Sequence, residues 1–169
     1  MKEQKPITNV TAGLIIGAIL IVFTLALQFA GIENNTSVGW FSYLIILGGI
    51  IVFIVLYGKA MDNQVSFGNL FSYGFKTTAV LTLVMILFTV IFFLLFPDVK
   101  EKMFEVARQK MEERKDITPD QIESGVSLWK RMFWVFTIGG ILLLYAIIGA
   151  IASLIGAAIA KKNKLNPAG

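Results

Sequence analysis

Glu112 and Glu113 are adjacent carboxylates, and a carboxylate pair is the first thing general acid–base chemistry would ask for. They stand beside Arg114 and Lys115, and neighbours on a helix point in different directions, so they read as a solvated face and not as two groups flanking one substrate. The chain has no Cys and no His, which removes thiol chemistry, disulfides, thiolate or imidazole metal sites and imidazole proton shuttles. No phosphate loop, nucleophile elbow or dinucleotide fingerprint is present. The sequence therefore predicts no catalytic residue, no metal, no cofactor and no enzyme.

The remaining polar chemistry sits inside apolar runs. Gly13, Gly17, Thr24 and Gln28 fall within about 60° of one another at ~100° per residue of helix. Two glycines one turn apart admit a neighbouring backbone, and Gln28 can hydrogen-bond across a helix interface. Gly149, Ala152, Ser153, Gly156, Ala157 and Ala160 form a second face of small residues. Gly13, Gly17, Gln28, Gly149, Ala152, Ser153, Gly156 and Ala160 are accordingly expected to be helix-packing positions. The competing reading makes the first stripe a solute-contacting surface. Thr78, Thr82 and Thr89 lie along one stripe around Met85, and such hydroxyls in lipid commonly bond back to the i−4 carbonyl.

These residues need long apolar helices to carry them. Residues 6–32, 34–58, 77–97 and 132–160 contain no charge, and even the shortest run reaches ~31 Å as a helix, the thickness of a bilayer's hydrocarbon core. Apolar residues make up 56% of the 169 positions and charged residues only 15%, a balance foreign to soluble domains. The expected fold is an all-α membrane protein with four transmembrane helices and an amphipathic extramembrane helical segment between the third and fourth. Its expected parts are an N-terminal tail over 1–9, a transmembrane domain over 10–160 and a basic tail over 161–169. The spans are placed at about 10–32, 40–57, 74–97 and 132–160. The first is too long for the apolar core of a signal peptide and is read as retained. Glu33–Gly39 is read as a tight polar turn. Phe67, Leu70, Phe71, Gly74 and Phe75 recur at helical spacing, an amphipathic lead-in that runs into the third span, with Ser66 as its cap. Pro97 ends that span.

Residues 98–131 hold eight basic and eight acidic side chains. Val99, Met103, Phe104, Ala107 and Met111 share one side of a helix, with Asp98/Lys102 and Arg108/Glu112 as i,i+4 pairs on the other. This apolar side is expected to dock on a partner or on the membrane surface. Thr118-Pro119-Asp120-Gln121 reads as a capping box opening a second helix. That helix either runs through Gly125 into the last span or breaks there.

Net charge is +4, but the lysines flank apolar runs, as orientation requires, so no nucleic-acid partner is expected. The terminal lysines, Lys2 and Lys164 among them, outnumber the one acid beside them, Glu3, whereas the 98–131 loop is neutral. Both termini are therefore expected in the cytoplasm, with Lys110 outside. Expected partners are the lipid bilayer and either a membrane protein or further copies of the chain.

The four spans, Ser66-Phe67-Gly68 with Tyr73-Gly74-Phe75-Lys76, the Thr118–Ile122 cap and the small-residue last span ending in Lys161-Lys162 together resemble one bacterial membrane family, domain of unknown function 4199. The likeness covers roughly residues 6–162. Asn69 stands where that family often has an acidic residue. The resemblance implies a bacterial inner-membrane protein without assigned activity and transfers no functional residue. It further implies company with polyprenyl-linked glycosyltransferase systems. The expected function is thus a non-catalytic assembly or accessory subunit of a membrane complex; the alternative is a small oligomeric transporter, channel or lipid-handling protein.

Overall fold

A computed structural model describes residues 5–31, 36–114 and 116–165. All regular structure among the described residues is helical: α1 (Asn9–Ala30), α2 (Thr36–Ala60), α3 (Phe67–Leu95), α4 (Pro97–Glu112), α5 (Pro119–Arg131) and α6 (Phe133–Leu165). Lys2, Glu33–Asn35 and Lys115 lie outside the described residues. Helix α1, the Gly39–Ala60 part of α2, helix α3 and the Phe133–Lys161 part of α6 are long and apolar enough to cross a bilayer, and α4 and α5 are not. Val22 and Phe29 are 67% and 79% exposed on α1, an arrangement that water penalises and hydrocarbon does not. The chain is a multi-pass membrane protein.

The helix ends follow local chemistry. The Thr8 hydroxyl accepts a hydrogen bond from the Thr11 amide at 3.1 Å and opens α1. Gly31 closes it at φ 68°, a left-handed conformation that costs glycine nothing, and its N–H reaches back to the Gln28 carbonyl. Helix α2 begins at Thr36, inside the stretch read as a tight turn over Glu33–Gly39, because a helix N-terminus tolerates polar residues that the hydropathy pattern assigns to a loop. Asp62 and Asn63, at φ 50° and 53°, reverse the chain after α2. The Ser66 hydroxyl then accepts from the Asn69 amide at 3.3 Å, and α3 starts at Phe67 with the lead-in forming its first turns.

The chain divides into two compact units. One comprises Met1–Met85 with Leu143–Gly169, the other Ile86–Leu142. In the first, Ala12, Ile16 and Leu20 of α1, Ile46, Ile50 and Ile54 of α2, Leu70 and Leu81 of α3, and Ala152 and Ala157 of α6 make the buried core.

The second unit is built round a helical hairpin. Pro97 both follows the end of α3 and occupies the first turn of α4, where its missing N–H has no partner to lose. The capping box at Thr118 is complete: its hydroxyl accepts from the Gln121 amide, and the Gln121 side chain accepts from the Thr118 amide at 3.0 Å. Helix α5 runs through Gly125 and ends at Arg131 with Met132 as its C-cap, so the chain breaks between α5 and α6 and not at the glycine. Arg108 pairs with Glu112 at 3.2 Å, while Asp98 and Lys102 form no ion pair among those of the described residues. Beyond α4, the Arg114 guanidinium holds the Asp116 carboxyl below its ordinary range; both are exposed.

The apolar side of α4 is covered by this same unit. Phe104 is 3% exposed, with its ring edge-on to Trp129 at 5.2 Å and to Phe133 at 5.6 Å. Lys130 closes over the Phe104 ring and reaches Glu101 at 3.5 Å. Phe104→Ala should therefore loosen the hairpin by about 3 kcal/mol, whereas Met103→Ala, at a position 38% exposed, should cost well under half of that. Amide hydrogen exchange over residues 97–131 measures both, and equal protection in the two variants would contradict this packing.

Candidate functional site

The candidate packing residues of the first unit are glycines where helices approach most closely. A Cβ built on Gly13 would lie 2.8 Å from Val80, and one on Gly17 would lie 2.9 Å from Val84, so α1 rests on α3 through these two turns. Helix α3 meets α2 and α6 at Gly74, whose missing Cβ leaves room for Ile54 on one side and the Ser153 hydroxyl, 2.6 Å from that position, on the other. Gly149 of α6 faces the Thr78 side chain, and Gly156 faces Ile54 of α2 at 2.7 Å. Ala152, Ser153 and Ala160 are buried along the same α6 face. Gln28 differs. It is half-buried in the last turn of α1, and its side chain makes no hydrogen bond among the described residues.

The buried threonine hydroxyls inside this unit are bonded to their own helix. Thr77, Thr78 and Thr82 are buried, and each donates to the carbonyl four residues earlier, at 2.9, 3.0 and 2.8 Å. This bonding removes the penalty of burying these three hydroxyls and leaves none of the three as a free donor. Thr89 is half-buried. Ser153 Oγ is buried with no hydrogen-bond partner among the described residues.

The docking stripe on α4 is not a uniform surface. Phe104 belongs to the core of its unit, Val99, Ala107 and Met111 are half-buried, and Met103 alone of the five is exposed. The expectation that this stripe waits for an outside partner is corrected at Phe104: α5 and the first residue of α6 cover it, because α5 is a second amphipathic helix whose apolar side packs on the first.

Sequence reasoning passed over one site. An open cleft of about 310 Å³ lies at one end of the first unit, lined by Pro6, Ile7, Thr8 and Asn9, by Tyr57, and by Asn69, Ser72, Tyr73 and Lys76. Its wall is fixed by Tyr73, 7% exposed, whose hydroxyl donates to the Ile7 carbonyl at 2.9 Å. The Tyr73 ring stacks on Tyr57 with centroids 4.2 Å apart and planes inclined by 10°. The segment before α1 is thereby tied to α3. The signal was legible. Positions 69, 72, 73 and 76 recur at i, i+3, i+4 and i+7, a polar face opposed to the apolar stripe that holds Leu70 and Gly74.

A family model described as Protein of unknown function (DUF4199) matches residues 11–162. No curated protein and no solved structure matches the chain.

The glycine contacts yield a graded expectation. Gly149→Ala and Gly74→Ala should each lower stability in detergent by about 1–3 kcal/mol through overpacking. Gly48→Ala, where nothing lies within 4 Å, should leave it unchanged or slightly raised. A thermal melt that ranks the three variants together would refute the close approach at Gly74 and Gly149.

Proposed function

We propose, since the chain belongs to the DUF4199 family of proteins of unknown function, that it is a non-catalytic accessory or assembly subunit of a membrane complex. The observation that carries this reading is the closed interior of the first unit. Its buried threonine hydroxyls are bonded to their own helix, and its helices meet backbone to side chain at Gly13, Gly74, Gly149 and Gly156. Such an interior suits a rigid support. A solute path needs polar groups free to replace a hydration shell.

The family resemblance supports placement in a bacterial inner membrane, and the charge pattern supports cytoplasmic termini with the α4–α5 hairpin outside. The hairpin offers its charged surface, with Met103 and Leu128 as exposed apolar points, to a membrane-protein partner such as a polyprenyl-linked glycosyltransferase system or to another copy of the chain. The transporter or channel alternative would place Gln28 on a pathway; no buried polar lining around it favours that reading among the described residues.

Two measurements test the proposal. Single cysteines replacing Lys5, Lys110 and Lys161, probed in intact spheroplasts with a membrane-impermeant thiol reagent, should label at 110 only; labelling at 5 and 161 with 110 protected would invert the topology. Met103→Ser combined with Leu128→Ser should abolish partner co-purification while insertion and folding persist, because neither side chain is in a core. Retention of every partner by that double variant, together with altered uptake of a defined solute by Gln28→Leu, would replace the accessory role with transport.

A further inference from the structure

We propose that the cleft between the segment preceding α1 and the first turns of α3 binds an anionic phosphate headgroup of a membrane lipid. Depth is the first argument. Lys76 is the last charge before the apolar run of residues 77–97, and the cleft residues of α3 stand where that helix passes from polar to apolar sequence. Helix α1 makes the same passage beside it. Val80, one turn beyond Lys76, lies against Gly13, one turn beyond Asn9, which sets Lys76 level with the start of α1. Aromatic side chains such as Tyr57 and Tyr73 belong at that level of a bilayer.

Charge is the second argument. Among the described residues Lys76 is the one charged side chain in the lining, and it is accompanied by the Asn69 amide and the Ser72 and Tyr57 hydroxyls, all able to donate to phosphate oxygens. No carboxylate of the described residues shares the lining. The start of α1 adds a partial positive charge of the same sign.

Shape is the third. The Tyr73 bond to the Ile7 carbonyl and the Tyr57 stack hold the wall in place before any ligand arrives, so little ordering is left for binding to cost. A volume of about 310 Å³ is at the small end for a ligand pocket and fits a headgroup, not a whole amphiphile. The acyl chains have a separate place. Val10 and Leu14 on α1 and Leu83 on α3 are exposed apolar side chains further along the two helices, available to a lipid whose headgroup sits in the cleft.

The test uses the full-length protein in a zwitterionic detergent, titrated with phosphatidylglycerol and read by native mass spectrometry. Phosphatidylglycerol should bind the wild-type chain with phosphatidylcholine at least tenfold weaker. Lys76→Gln and, independently, Asn69→Leu should each weaken phosphatidylglycerol by about tenfold, the loss of one charge-assisted hydrogen bond, and Lys76→Arg should restore it. Lys161→Gln, which removes an exposed charge outside the lining, should change binding less than twofold. Equal losses in Lys76→Gln and Lys161→Gln would reduce the effect to general surface charge and overturn the site. Displacement of the lipid by inorganic phosphate at matched concentration would assign the cleft to a soluble anion and overturn the lipid. Unchanged melting temperatures of the variants without lipid confirm that the fold is intact.

Discussion

The first unit depends on one close approach, that of α3 to both α2 and α6 at Gly74. A helix in hydrocarbon gains nothing by exchanging lipid tails for leucines, so association has to come from contacts closer than lipid can make. At Gly74 the missing Cβ admits Ile54 and Ser153 together, and Gly149 and Gly156 repeat the device on α6 toward Thr78 and Ile54. Ile54 is fully buried as the common member of two of these contacts. Any side chain at Gly74 must displace a neighbour from each of two helices at once. Dispersion between well-fitted atoms is weak singly and large in sum, which is how small residues come to organise a bundle made largely of bulky ones.

That constraint decides where polarity can sit. Thr77, Thr78 and Thr82 occupy the same stretch of α3 and remain buried because their hydroxyls bond to carbonyls of their own helix. A hydroxyl satisfied in this way costs the bundle little and is chemically silent. On α3 the polar groups that stay available lie outside the apolar run, on the Asn69–Lys76 face, where the helix has left the hydrocarbon-like part of its sequence.

The spans were legible because uncharged runs of bilayer length have few other readings, and so were the breaks at Pro97 and Thr118, where residue chemistry acts locally. The amphipathic lead-in before the third span was legible for the same reason. What covers Phe104 was not. Periodicity shows that α4 has an apolar side, yet whether the cover comes from a partner, a membrane or the next helix depends on a reversal of direction after Glu112 that no local signal encodes. The tie from Tyr73 to Ile7 joins residues 66 positions apart, and single-sequence patterns are blind at that separation. Gln28 shares an angular sector with Gly13 and Gly17; the close approaches of α1 to α3 are at those two glycines, and Gln28, in the last turn, is half-buried.

Tyr73 connects the packing of the first unit to its chemistry. Its ring is buried between α2 and the chain before α1, and its hydroxyl reaches a backbone carbonyl that belongs to no helix. A phenylalanine could fill the same volume but could not hold the Pro6–Asn9 segment, since only the hydroxyl makes that bond. The segment in turn forms the wall opposite Asn69, Ser72 and Lys76, so the cleft exists because one interfacial tyrosine has a donor. The ring is placed by the stack with Tyr57, one turn of helix beyond Ile54 and the contact at Gly74. The close approach at Gly74 therefore also bears on the geometry of the cleft for which a headgroup is proposed. A tightly packed interior and a preformed polar rim are two consequences of the same packing.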